Sequence, residues 1–346
     1  MRRNTVPPKK QKSKRITLHD VAAEAGVSIQ TVSHVMTGNP TVKLPEATRE
    51  RVREAAKKVG YTPNRHAQAI RSGKTNVIGI WMPVDRPIVS YIRMLQLISR
   101  EAKRTGHELM IVPLDRESGL SDQAIAPNMW PVDGIIAMDS GAAVEVYRET
   151  PEGKTTPVVV IGYELVSNGD AVAWNVTESM KLATERLIAS GSRSIAYITM
   201  DWQIRDFPYE RRRAGYMQAM EAAGLPIQIV VVDEESRAGS TRAVKAHIAE
   251  HGIPDAFVGM TDMLAMGAVR AVTTSGKRVP EDCQVMGYGS HPDAEDFEVP
   301  MSTLRSPIGE VIPRAWEKLI KRIQDPSLPS ELETYAMEFI KRDSTR

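Results

Sequence analysis

A single cysteine, Cys283, stands among 346 residues, so no intrachain disulfide framework holds this protein, and a reducing cytoplasm is the consistent setting. No run of about 18 apolar residues occurs, which argues against a membrane-spanning helix. The start, MRRNTVPPKK, is positive but leads into no apolar stretch, so a secretory signal is not expected either. Net charge is also nearly absent, at +2. That small total hides a strong asymmetry: residues 1–75 carry 16 Lys or Arg against 5 Asp or Glu, a balance of +11, while the remainder carries 29 against 38, or −9. A basic amino-terminal module is the footprint expected for contacts with nucleic-acid phosphates, and an acidic remainder suits a body that DNA does not hold. Residues 1–15, with seven basic side chains, no acidic ones and Pro7-Pro8, read as a disordered basic arm.

What is present concentrates in ITLHDVAAEAGVSIQTVSHVMT, residues 16–37. Thr17 is placed to cap a first helix whose Val21, Ala22 and Ala25 recur at helical spacing, and Gly26 supplies the backbone freedom of a tight turn. Ser28 then caps a second helix. Its Val32 and Val35 face inward, leaving Ile29, Gln30, Thr31, Ser33 and His34 near its start or on its outer face, where a recognition helix meets base edges. Pro45 to Gly60 reads as a third, packing helix with Val52, Ala55, Ala56 and Val59 as its apolar stripe. Residues 62–74 form a short segment with helical spacing at Ala67 and Ile70, too short to be a stable helix alone.

The run from Leu18 to Ser33, L-x-D-V-A-x-x-A-G-V-S-x-x-T-V-S, resembles the headpiece of the lactose repressor (LacI/GalR) family of bacterial transcriptional regulators. Thr48-Arg49-Glu50-Arg51-Val52, Gly60-Tyr61-Thr62-Pro63-Asn64 and Lys341-Arg342-Asp343-Ser344-Thr345 extend the likeness along the chain. The resemblance implies base readout by Ile29, Gln30 and His34, chemistry these side chains have: Gln pairs with adenine, Ile covers a thymine methyl, and His donates or accepts at a base edge. It implies positioning contacts to the DNA backbone from Leu18, His19, Ser28, Thr31, Ser33, Thr37, Asn64 and Arg65. It also implies a hinge segment that becomes helical when two subunits pair on DNA, with Ile70 as an apolar wedge in the minor groove, at a position where the family more often has Leu. Packing of Ile70 on a dimer mate is the plainer alternative.

From Asn76 the pattern changes to short apolar runs alternating with helical segments: VIGIWMP at 77, LMIVPL at 109, GIIAMD at 134 and PVVVIGY at 157, then SIAYITM at 194, IVVVD at 229, DAFVGM at 255 and VMGYG at 285. Alternation of this kind argues parallel sheets with helices on both faces. The expected architecture is a small all-α helix-turn-helix headpiece followed by an α/β body of two doubly wound parallel-sheet lobes, resembling the periplasmic-binding-protein fold, with a ligand cleft between lobes. The expected divisions are an arm at 1–15, a headpiece at 16–61, a hinge at 62–75 and a body at 76–346. Within the body, the first lobe takes about 76–175 and 303–330, the second about 176–302 and 331–346. Crossings between lobes are expected near Asn175, Ser302 and Ser330, with a tail strand over 335–340 completing the second lobe. No heptads follow, which favours a homodimer.

Six residues are carried over or weighed as effector contacts: Arg212, Asp262, Trp174, Asn175, Trp202 and Tyr288. Arg212 and Asp262 match family ligand positions, with an ion pair to a helix-face acid and a helix cap as their structural alternatives. Two departures stand out, since Gly287-Tyr288-Gly289 replaces the usual G-F-D and Trp174-Asn175 replaces the usual D-N. Loss of two carboxylates beside Arg212 leads to the expectation of an anionic or aromatic effector, while Asp139, Trp202 or Asp85 restoring a neutral-sugar site is the rival. Competing functions are a stand-alone solute-binding protein, or a metal-dependent hydrolase using His247, Glu250 and His251 in an H-x-x-E-H pattern. That string lacks a third ligand segment, and neither an enzyme nor a resident cofactor or metal is expected.

Overall fold

The computed structural model describes residues 16–37, 42–61, 74–84, 88–114, 132–162, 166, 168–206 and 210–346. The basic arm, Asn64, Arg65, Ile70 and Asp85 therefore lie outside the described residues. The chain divides into two compact units, Met1–Thr75 and Asn76–Arg346.

In the amino-terminal unit, helices α1 (Leu18–Ala25), α2 (Ile29–Thr37) and α3 (Glu46–Val59) surround a small core. Val21, Val32 and Val52 are fully buried, with Ala25, Ala55 and Ala56 close to it. Cores of alanine and valine let short helices approach closely, and no single helix here is long enough to stand alone in water. Each is therefore held by its neighbours.

Among the described residues the body contains two six-stranded sheets. Strands β1 (Val77–Pro83), β2 (Glu108–Leu114), β3 (Gly134–Met138), β4 (Val158–Gly162) and β5 (Asp170–Trp174) belong to the first, and β6 (Ile195–Met200), β7 (Gln228–Val232), β8 (Ala256–Gly259) and β9 (Gln284–Tyr288) to the second. β3, β4, β5, β6, β8 and β9 are buried along their whole length. Continuous apolar runs are what strands covered on both faces require. The covering helices are α4 (Ile88–Thr105), α5 (Gly141–Arg148), α6 (Val176–Ala189), α7 (Asp201–Asp206), α8 (Arg211–Ala222), α9 (Arg237–His251), α10 (Asp262–Thr274) and α11 (Ile308–Gln324). Three short strands, β10 (Ser302–Arg305), β11 (Leu332–Tyr335) and β12 (Glu338–Ile340), complete the orders β11-β5-β4-β3-β1-β2 and β12-β10-β9-β8-β6-β7. All pairings are parallel except β12 against β10.

Two of the three expected crossings move. Ser302 is not at a crossing but inside the second sheet, paired with Met286, and the chain changes lobe between Arg305 and α11. Ser330 is likewise too early: Leu332–Tyr335 pairs with β5 of the first sheet, so the expected strand over 335–340 is two strands in two lobes, parting between Tyr335 and Glu338. The cause is polar residues that imitate loops. The Ser302 N–H donates to Ser344 Oγ at 2.8 Å and its hydroxyl pairs with Thr345 Oγ1 at 2.7 Å, so a serine is satisfied in a buried strand. In β11, Glu333 is held by Arg314 at 2.8 Å and Lys318 at 2.9 Å, which keeps an edge strand polar.

Candidate functional site

In the amino-terminal unit the Asp20 carboxylate accepts from the Thr17 N–H at 2.7 Å and hydroxyl at 2.8 Å, fixing the start of α1. Gly26 turns the chain at φ +63°. Ser28 Oγ then accepts the Thr31 N–H at 3.1 Å and pairs with the Thr31 hydroxyl at 2.9 Å, capping α2. Burial of Val32 and Val35 turns the opposite face outward. Ile29, 39% accessible, and Gln30 are exposed, while Thr31, Ser33 and His34 are half-buried. Ile29 therefore stands outside this small core. Of the expected backbone-positioning residues, His19 and Ser28 are exposed, whereas Leu18 also packs against the small core.

The body encloses a cavity of about 400 Å³ lined from both lobes. From the first come Tyr91, Asp139 and Trp174, and from the second Arg212, Asp262 and Tyr288. Asp139, Trp174 and Tyr288 lie at or just beyond carboxyl ends of strands, the place where open parallel sheets bind ligands. The Tyr91 hydroxyl donates to Asp139 Oδ2 at 3.0 Å. Trp174 Nε1 donates across the cleft to the Tyr288 hydroxyl at 3.4 Å, and burial pushes the Tyr288 phenol up to about 12.

Arg212 is almost fully buried and already engaged. Its Nε donates to Glu210 Oε1 at 2.6 Å, its Nη1 to the Met260 carbonyl at 3.1 Å, and its guanidinium carbon lies 5.2 Å from the centre of the Tyr288 ring. Glu210 is the N-cap of α8, accepting the Arg212 N–H at 3.1 Å and the Arg213 N–H at 2.8 Å, and it also receives the Tyr197 hydroxyl at 3.3 Å. Burial alone would raise the Glu210 carboxyl, but the Arg212 guanidinium and these donors hold it below its ordinary value. Arg212 thus lines the cavity while its Nε is paired internally with Glu210, the alternative weighed from the sequence.

Asp262 accepts from the Thr303 hydroxyl at 2.6 Å and from the His291 N–H, and burial raises its carboxyl. Gly287 is a steric requirement of that arrangement, since a Cβ there would lie 2.1 Å from Asp262 Oδ1. Asn175 and Trp202 are not brought to this cavity. The Asn175 side chain caps α6 by accepting the Glu178 N–H at 3.2 Å, and Trp202 is half-buried against the body core. Tyr91 and Glu210 were not foreseen. Asp139 was signalled by its place at the end of the GIIAMD run.

His247 and His251 lie one turn apart with ring centres 4.8 Å apart, and His247 packs edge-on against Phe257. Among the described residues no group of three or more His, Cys, Asp or Glu could hold a metal ion, so the hydrolase pattern gains no third ligand. No described helix is long and apolar enough to cross a membrane.

Comparison with known proteins agrees with both units. Residues 17–64 match the family model for bacterial regulatory proteins of the lacI family, and residues 184–345 that for a periplasmic binding protein-like domain. Catabolite control protein A of Priestia megaterium is 26% identical over 337 residues, covering 96% of this chain and 99% of that protein. The HTH-type transcriptional repressor PurR of Vibrio parahaemolyticus is 28% identical over 339 residues, covering 95% and 98%. Among solved structures, a lac repressor dimer bound to operator and the anti-inducer ONPF shares the fold with a TM-score of 0.82 at 23% identity, over 96% of this chain and 99% of that one.

Proposed function

We propose that this chain is a regulator of the lacI type, the family whose model its residues 17–64 match, and that it acts in the cytoplasm as a homodimeric repressor, binding a near-palindromic operator under control of a small molecule in the interlobe cavity. The observation that carries the DNA half is the outward start of α2, with Ile29 and Gln30 exposed on a helix that buries Val32 and Val35 on its other face. Ile29, Gln30 and His34 read bases. His19, Ser28, Thr31, Ser33, Thr37, Asn64 and Arg65 set the helix on the backbone, and Ile70 wedges the minor groove where the two hinge segments meet. Pairing of two copies is supported by apolar side chains exposed on matching sheet edges, Ile111 in β2 at 52% and Val231 in β7 at 45%. Function by binding rather than catalysis is the reading favoured by relatives named as a control protein and as repressors.

For the effector, the cavity is lined by two buried carboxylates, Asp139 and Asp262, which also accept hydrogen bonds from Tyr91, Thr303 and His291, by Arg212, which Glu210 pairs, and by exposed Arg93 and Arg305. Carboxylates accept and do not donate. A neutral molecule offering hydroxyl or amide donors, with a ring to set against Trp174, Tyr91 and Tyr288, is the fitting class.

Footprinting at rising salt tests the DNA reading. A two-fold protected pattern is expected, with affinity falling by about 10³–10⁵ between roughly 50 and 200 mM salt; a one-sided footprint or indifference to salt would overturn it. For readout, Gln30→Ala and His34→Ala are expected to relax the preference at separate half-site positions by about 1–3 kcal/mol each. Selection from a random pool measures this, and identical preferred sites for wild type and both variants would remove these residues from the reading set.

A further inference from the structure

The body has a second cavity, of about 380 Å³, where the three passages between lobes converge. Asn175 and Glu178 lie at the first passage, Leu304 just before the second, and Thr334, Tyr335, Ala336 and Met337 carry the chain through the third. Glu178, Leu182 and Arg186 follow one another at four-residue steps on α6, which puts them on one helix face. Leu182 is 50% accessible, an exposed aliphatic side chain between an acid and a base. Buried Ala183 and Met337 and half-buried Tyr335 and Phe339 add apolar surface beside it.

Arg186 gives the cavity its chemistry. Its guanidinium carbon lies 5.2 Å from the centre of the Phe339 ring, and among the described residues no carboxylate pairs with it. The other arginines around the last two passages each hold an acid: Arg305 with Glu338, Arg314 with Glu333, Arg322 with Asp170. A cation held against an aromatic face at the rim of an apolar cavity, with no anion assigned, is a receptor for a carboxylate on an apolar body.

We propose that this cavity is a binding site, separate from the interlobe cleft, for a small monocarboxylate with an aromatic or branched apolar body. The carboxylate meets Arg186, and the body lies on Leu182, Tyr335, Met337 and Phe339. Glu178, about 12 Å from Arg186 along the helix, places a like charge at the far end and so disfavours a dicarboxylate. Since each passage contributes to the lining, an occupant props the passages apart or draws them together and so changes the angle between lobes.

Calorimetric titration of the full chain with 3-phenylpropionate, 3-phenylpropanamide and phenylsuccinate is the test, with small-angle scattering at saturation. Expected is saturable binding of the monoacid at one per chain, at least tenfold weaker binding of the amide and the diacid, and a changed scattering profile. Arg186→Gln and Leu182→Glu, both at exposed positions, are expected to fold as wild type by circular dichroism and to lose at least tenfold in affinity, whereas Asp139→Asn in the cleft leaves it unchanged. No saturable heat up to about 10 mM, equal binding of the amide, or undiminished binding by Arg186→Gln would overturn the site. Loss of binding in Asp139→Asn would move the ligand to the cleft, and an unaltered scattering profile would end the coupling to the lobes.

Discussion

Glu210→Gln is expected to lower the stability of the body by about 3–5 kcal/mol at neutral pH, because it leaves a buried guanidinium without its counter-charge. Glu210 and Arg212 are 8% and 6% accessible, and their ion pair is 2.6 Å long. Amide and carboxylate have nearly the same shape, so little packing is lost and the electrostatic part is isolated. Denaturant unfolding gives the difference. A loss under about 1 kcal/mol would mean that water or a rearranged neighbour solvates Arg212, and the pair would lose its structural role. Acid gives a second handle. The folded Glu210 carboxyl lies below its unfolded value of 4.5, so its contribution is complete above that pH and disappears as pH falls through the lower folded value. The gap between wild type and Glu210→Gln is therefore expected to close on acidification below about pH 4.5. A gap that widens there has the wrong sign for this account.

Gly162→Ala is the other large effect. Gly162 closes β4 at φ +122°, a backbone region unfavourable for side chains, and a Cβ would lie 1.8 Å from Asp139 Oδ1. Asp139 itself sits at φ +44° and receives the Tyr91 hydroxyl, so it has little room to retreat. Backbone strain of about 1–3 kcal/mol and overpacking of about 1–3 kcal/mol combine to an expected loss of about 2–6 kcal/mol, with Asp139 driven from its place in the cleft. Gly191→Ala separates the two causes. Gly191 has φ +104° but nothing within 4 Å of the added carbon, so it carries the strain alone. Thermal unfolding of both variants is expected to place Gly162→Ala well below Gly191→Ala; equal melting temperatures would show that Asp139 yields freely and is not fixed by the glycine.

The headpiece was legible because its information is local. Apolar spacing, caps and a turn glycine fall within a few residues of each other, and the helices follow. The strands of the body were legible for a similar reason, since a buried parallel strand is a continuous apolar word. What escaped was pairing across space. Asn175 was weighed as a ligand contact because it stands where the family has the Asn of its D-N pair, but the same side-chain oxygen that grips a hydroxyl also caps a helix, and the start of α6 claims it. Arg212 was matched to a family ligand position, with an ion pair to a helix-face acid as the alternative, and the acid that pairs with it, Glu210, could not be singled out by spacing. Glu210 is not inside the helix. As the N-cap it turns back over the first turn, where its carboxylate reaches both the backbone donors and the guanidinium. The shifted crossings have the same origin, since Ser302 and Glu333 are polar by composition and are satisfied only by partners far along the chain.

The interlacing of the sheets has a consequence for how the protein is made. β5 has a neighbour on one side only until β11 arrives, and β11 is clamped there when Asp170 accepts from Arg322 Nε at 2.8 Å and from the Glu331 N–H at 3.0 Å. On a ribosome, Asp170–Trp174 emerges long before Leu332, with the strands β6 to β10 synthesised in between. The first lobe must wait with an open sheet edge while the second forms, and unpaired edges are where nascent chains stick to one another. Conditions that delay synthesis between these two points are thus expected to favour aggregation over the native fold, and a fragment ended after Trp174 is expected to go to inclusion bodies rather than persist as a free lobe.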